Sequence, residues 1–183
     1  MEVNKKEITE KSIDIIKNLG IEALTIHNLA SAMQMDLKEF HKIFSTDEEI
    51  LLLIFKSFED DLKDFIQEIS NQSETPAKEF DTFFKSLYNV FLQKPYYLSI
   101  IFDKRLKERN KNIRKSIIHM KNTIEDYLTN LVESGKKNNT FKTNTSTSLL
   151  VNKMLTEFRL LMKDEQYINE MILDLEHLRK SKD

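Results

Sequence analysis

The chain has no cysteine, and only two glycines and two prolines in 183 residues. Without cysteine there is no disulfide, no thiolate zinc site and no cysteine nucleophile, a composition compatible with a reducing compartment. Two glycines are too few for a glycine-rich phosphate loop, and the G-x-S-x-G nucleophile elbow is missing as well. The four histidines, at 27, 41, 119 and 177, show no H-E-x-x-H or other ligand spacing, so no metal, no cofactor and no enzymatic activity is expected. The longest apolar run, ILLLIF at 50–55, is far too short to cross a bilayer. The opening MEVNKKEITEK is charged and lacks the apolar stretch of a signal peptide, which points to a cytoplasmic protein. A net charge of −2 supplies no general attraction to nucleic acid.

What is present favours helix. The sequence is 40% hydrophobic and 32% charged, the balance of a globular domain. So few breakers, combined with abundant Leu, Ile, Lys, Glu and Phe, predict an all-α protein. Ile8, Ile15, Ile16 and Leu19 follow a 3.6-residue period, and Gly20 is placed to end that helix as its left-handed cap. Thr25 is suited to cap a short second helix with Leu29, Ala30 and Met33 inside. Asp36 is suited to cap a third, from which Leu37, Phe40 and Phe44 point inward. Thr46 and Glu49 read as a capping box opening a long fourth helix to about residue 70.

Beyond it, Pro76 suits the first turn of a helix that ends before Pro95. A shorter helix spans Tyr97 to Leu106, and ERNKN forms a junction. A long helix from Ile113 is expected to stop at Gly135. The polar stretch GKKNNTFKTNTSTS reads as a surface turn, and two helices close the chain, giving about nine in all. The length accommodates one fair-sized domain, or a small one fused to a larger.

Three helices with a tight turn between the second and third, then a long fourth, resemble the TetR family of bacterial transcriptional regulators. The matching residues are Gly20 with Leu24-Thr25-Ile26, then Leu29-Ala30-Ser31-Ala32, and Phe44-Ser45-Thr46-Asp47-Glu48-Glu49-Ile50-Leu51. The tail is similar too, with Gly135, a polar turn, Phe141 and two closing helices. The resemblance implies a helix-turn-helix, homeodomain-like DNA-binding domain over 1–46 and a helical ligand-binding and dimerisation domain over 47–183. It implies a homodimer that reads operator DNA with its third helices, takes up a small-molecule effector and acts as a repressor. Two-fold reading requires half-sites about one DNA turn, roughly 34–36 Å, or a multiple of it apart. By the same resemblance the last two helices dimerise, through Leu150, Met154, Phe158, Leu161, Ile168 and Ile172.

Several residues depart from the family pattern. Gln34 occupies the turn where glycine is common, and Asp36 replaces a Ser or Thr that could reach a phosphate. His41 stands for a frequent Tyr, and Asp47 for a Lys. Residues 1–46 hold six lysines, no arginine and seven acids, so that segment is near −1. Phosphate contacts supply most non-specific affinity, so this is a poor cation count for a DNA reader. The expected contacts are Lys38, His41 and Lys42, flanked by Thr25 and His27. The competing reading is a helical small-molecule- or partner-binding protein of the same fold that has lost DNA recognition.

Eight aromatic residues fall between Phe80 and Phe102. Helical spacing explains most of them as core. The family resemblance adds an apolar pocket with a tyrosine hydroxyl as polar handle, drawing on Phe84, Tyr88, Phe91, Tyr97 and Phe102. Residues 103–121 carry eight Lys or Arg against Asp103 and Glu108, a local +6. A solvated face is the usual meaning of such a run; an anionic ligand, an acidic partner or auxiliary attraction to DNA are the alternatives.

Overall fold

The computed structural model describes residues 4–101 and 104–161, and among these the chain is helical with no strand. Helix α1 spans Lys5–Leu19, and a single 3-10 turn, Ile21–Ala23, leads to α2 at Ile26–Ala32. Helix α3 is Leu37–Phe40, α4 Asp47–Gln72, α5 Pro76–Gln93, α6 Tyr96–Ile101 and α7 Lys104–Arg109. Helices α8, Lys111–Lys137, and α9, Thr147–Leu161, complete the described residues. The closing helix expected around 168–178, with Ile168 and Ile172, lies outside them, as does Phe102.

The helix starts follow local side-chain chemistry. Asn4 accepts the Lys6 amide at 3.0 Å, Thr25 the Asn28 amide at 3.2 Å and Asp36 the Lys38 amide at 2.8 Å. Each satisfies a donor that a helix N-terminus leaves unpaired. Thr75 caps α5 with Pro76 in its first turn, and Asn110 Oδ1 accepts the Asn112 and Ile113 amides ahead of α8. The expected capping box at Thr46 forms only in part. Glu49 Oε2 reaches back to the Ser45 amide at 2.7 Å, while the Thr46 hydroxyl makes no cap bond.

Two expectations about burial are corrected. Leu19 is 67% exposed because it is the last residue of α1, beyond the reach of the neighbouring helices. Leu37 is 39% exposed, since the first position of the one-turn α3 opens onto a surface cleft rather than the core. Of the segment expected as one helix from Tyr97 to Leu106, the described residues form α6 and α7, and residues 102 and 103 between them lie outside the description.

Contacts divide the chain into two units, meeting within α8 between Ile124 and Glu125. In the first, α1 packs on α2, α4 and α6, and α5 packs on α4 and α6. Its apolar cluster runs without a break from Ile8, Leu29, Phe40 and Ile54 to Tyr97, Leu106, Ile113 and Met120. In the second, Leu128, Leu131, Val132 and Val151 are buried. There α8 does not stop at Gly135. It continues to Lys137, and the left-handed turn falls on Asn139, φ 56°. Gly135 instead serves close approach, because a Cβ there would sit 2.0 Å from Cδ2 of the Phe141 ring.

Backbone strain concentrates near the N-terminus. Gly20 takes φ 84°, ψ 167°, a region open essentially to glycine alone. Gln34 takes φ 53° in the turn between α2 and α3, a position that costs a side-chain-bearing residue about 1–2 kcal/mol. The two should therefore respond oppositely in urea denaturation. Gly20→Ala is expected to lose roughly 1–3 kcal/mol. Gln34→Gly is expected to gain about 0.5–1 kcal/mol, the relieved strain less the added freedom of the unfolded chain. A Gln34→Gly variant no more stable than the parent would contradict the left-handed turn.

Candidate nucleic-acid interface

The α2–turn–α3 segment is held by short-range bonds. The Met35 amide reaches the Ala30 carbonyl at 2.9 Å and the Gln34 amide reaches Ser31 at 3.1 Å, closing the turn around the left-handed Gln34. Helix α3 is regular for only one turn. Its continuation tightens, with amides of Lys42 and Ile43 bonding three residues back to Glu39 and Phe40, a 3-10 pattern common at helix ends. His41 and Lys42 therefore stand on a tightened turn. Phe40 and Phe44 pin it from below, their ring centroids 5.5 Å apart and both buried.

Above that anchor lies an open cleft of about 460 Å³ lined by Thr25, Ile26, His27, Leu37, His41, Ser45, Thr46, Asp47 and Glu48. Three of the five expected contact residues, Thr25, His27 and His41, thus share one concavity although they are up to sixteen positions apart (41 − 25). Lys38 and Lys42 lie outside the cleft lining and are exposed to solvent. Lys42 pairs with Glu39 at 2.6 Å, both side chains more than half exposed. An exposed pair at this spacing is worth only about 0.3–0.5 kcal/mol, too little to keep Lys42 from a phosphate.

Asp47 has a role that its position in the sequence does not reveal. Its Oδ1 accepts the Ile26 amide at 2.7 Å, across twenty-one residues. The start of α4 thereby caps the start of α2. Together with Thr25, it satisfies two of the donors exposed there. A carboxylate at this point also complements the helix dipole. Of the three acids at the head of α4, Asp47 and Glu49 hold backbone amides. Glu48, half-buried in the cleft wall, makes no such bond among the described residues.

The expected pocket aromatics fall into ring groups. Phe84 meets Phe80 at 4.8 Å and Phe83 edge-on at 5.2 Å, with Phe65 5.7 Å from Phe83. Tyr97 lies 4.1 Å from Phe58 and stacks on Tyr96 at 4.9 Å. Its hydroxyl donates to Asp61 Oδ2 at 2.8 Å. Burial first, and then the Asp61 carboxylate, push that hydroxyl well above the usual tyrosine range, so it stays a donor. Tyr88 and Phe91 are half-buried on α5. On α9, Leu150, Met154 and Phe158 are half-buried, while the Leu161 side chain is outside the description.

No family model matches the sequence, and no curated protein sequence matches it either. Solved structures do match in fold. A TetR transcriptional regulator from Legionella pneumophila aligns with a TM-score of 0.74 at 16% identity, covering 97% of this chain and 99% of that one. A TetR/AcrR regulator from Thermobifida fusca gives 0.72 at 10% identity, covering 87% and 84%. A putative TetR-family regulator from Syntrophomonas wolfei gives 0.70 at 18% identity, covering 93% and 91%. At such identities the likeness establishes the fold, all-helical and shared with these regulators. No helix among the described residues is long and apolar enough to cross a membrane.

The Asp47 clamp predicts a graded response. Asp47→Ala should destabilise the chain by about 1 kcal/mol, in the range of a lost N-cap, and speed hydrogen exchange at the Ile26 amide. Asp47→Asn, which keeps an acceptor oxygen, should retain most of both. Equal exchange at Ile26 in all three proteins would show that the bond carries no weight.

Proposed function

We propose that the chain is a DNA-binding transcriptional regulator, a dimer that represses and responds to a small molecule. The observation that carries this reading is the helix-turn-helix closed at Gln34, with Lys38, His41 and Lys42 exposed together and Thr25 and His27 gathered beside them. The fold shared with regulators along nearly the whole chain supports it.

On this reading the small head, 1–46, docks its third helix in the major groove, and 47–183 binds ligand and dimerises. Lys38 and Lys42 supply phosphate or base contacts, and His41 with Thr25 and His27 supplies hydrogen bonds at the flanks. Effector entering among Phe84, Tyr88, Phe91 and Tyr97, with Phe102 of the adjoining segment, favours a spacing of the two heads that no longer fits the operator. Leu150, Met154, Phe158 and Leu161 of α9, with Ile168 and Ile172, form an isologous interface with their symmetry mates. The half-burial of the first three in one protomer fits a face that a second copy completes.

A second reading keeps the fold and gives up DNA. What favours it is charge, since six lysines face seven acids in residues 1–46. The clamp leaves that count unchanged and bears only on the acids that follow it. Asp47 and Glu49 are committed to backbone amides at the α2 and α4 starts, so their presence has a structural cause independent of DNA.

Fluorescence anisotropy on duplexes from the upstream region of the gene separates the two. Binding should be modest and fall steeply with salt, and Lys38→Ala with Lys42→Ala should abolish it. Glu48→Lys removes the one acid of the three at the head of α4 that holds no backbone amide, without touching the clamp. It should strengthen non-specific binding and steepen the salt slope by about one unit. No binding at low salt by the parent and by Glu48→Lys alike would decide for the second reading. Light scattering should give a dimer at micromolar concentration, converted to monomer by Phe158→Asp, because a lone carboxylate is costly to bury.

A further inference from the structure

The cleft beside α3 draws titratable groups of both signs from three helices. His27, in the first turn of α2, and His41, at the end of α3, both line it and both are exposed. Asp47 and Glu48 of α4 form its acidic wall. Among the described residues no lysine or arginine lines it, and α1 contributes nothing to it. Around His41, Lys38 stands outside the lining and Lys42 is paired with Glu39 at 2.6 Å. Asp36 is turned to the Lys38 amide, and Glu22, ahead of α2, lies 3.5 Å from Arg105. With neutral histidines the cleft therefore carries two negative charges, and with both protonated it carries none. Residues 1–46 contain no other histidine, so the head moves in step from −1 to +1.

We propose that His27 and His41 make DNA binding pH-dependent, taking up protons as phosphate enters the cleft and releasing the duplex as pH rises. The inference rests on the DNA-binding reading and states how that same site is regulated. Histidine is the side chain whose ordinary charge change falls between about pH 5 and 8. The sign follows from the charges in the cleft. A phosphate meets an acidic wall when the imidazoles are neutral, and a neutralised one with added N–H donors when they are protonated. Binding therefore favours the protonated form, so affinity is highest below the histidine range and falls as pH rises through it. Asp47 cannot turn away from the phosphate, because its Oδ1 holds the Ile26 amide at 2.7 Å. The same carboxylate offsets the α2 macrodipole, which opposes a positive charge on His27. With only six lysines and no arginine in the head, two added charges weigh heavily in an affinity dominated by phosphate contacts.

The test is fluorescence anisotropy of the full chain on a duplex from the upstream region of its gene, at fixed ionic strength, between about pH 6 and pH 8. Affinity should fall about tenfold or more across that range, and the salt slope should be steeper at the acid end by about one to two units. His27→Gln with His41→Gln should flatten the profile at whatever affinity remains. His27→Arg with His41→Arg carries a charge that does not titrate, and should bind with a flat profile even where the glutamine variant is too weak to read. In the parent, NMR titration should show both imidazole midpoints raised when duplex is added. Equal binding at the two ends of the range, or a glutamine variant that keeps the parent's slope, overturns the proposal and leaves the DNA-binding reading standing. No binding by the parent at the acid end and low salt overturns both.

Discussion

The first three helices share one apolar core with the helices that follow them. With α2 of seven residues and α3 of four, α1 to α3 alone enclose little volume from which to exclude water around Leu29, Ala30, Phe40 and Phe44. They become a core only because Ile50, Leu51, Ile54 and Phe55 of α4 rise into them, and because the same cluster continues through Tyr96, Tyr97 and Ile100 of α6 to Ile113 and Ile117 of α8. The four-residue α3 illustrates the dependence, since an isolated helix of that length has no stability of its own. It persists because Phe40 is fully buried and Asp36 caps it.

That dependence explains why acids gather where a DNA reader would carry cations. The junction between α2 and α4 leaves amides that must find acceptors, and Asp47 and Glu49 provide them. A lysine at 47 would suit phosphate and leave Ile26 without its acceptor. On the proposed DNA-binding reading, fold and recognition compete for this position and the fold has it, which leaves electrostatic attraction to Lys38 and Lys42, with Lys42 held only by a weak exposed pair.

The aromatic region couples burial to a polar bond in the same way. Tyr97 is packed against Phe58 and Tyr96, yet its hydroxyl reaches Asp61 on α4. Lys17 of α1 lies 5.1 Å from the Tyr96 ring, and Lys94 lies 5.5 Å from that of Tyr97. Such cation–ring contacts add on the order of 0.5–1 kcal/mol at exposed sites. Lys17, Tyr96, Tyr97 and Asp61 thereby bring α1, α6 and α4 into direct contact.

Much of this was legible in residues taken a few at a time. The helical class followed from composition. The starts at Thr25, Asp36 and Pro76, and the stop at Gly20, followed from caps whose partners lie within a turn of them. Local chemistry failed where distant residues intervened. Gly135 looked like a helix end, but the Phe141 ring needs its bare backbone, and the helix runs on to Lys137. Thr46 and Glu49 looked like a complete box, but Glu49 took the Ser45 amide. Asp47 read only as the replacement of a lysine, while its oxygen lies on an amide twenty-one residues earlier. Periodicity marks which residues turn inward on one helix; it carries no information about which face of another helix they meet. The sequence by itself determined the helices and their caps, because those depend on neighbours three or four residues away. Only the tertiary structure decided the cleft at 25–48 and the clamp at Asp47, because each depends on how separate helices pack.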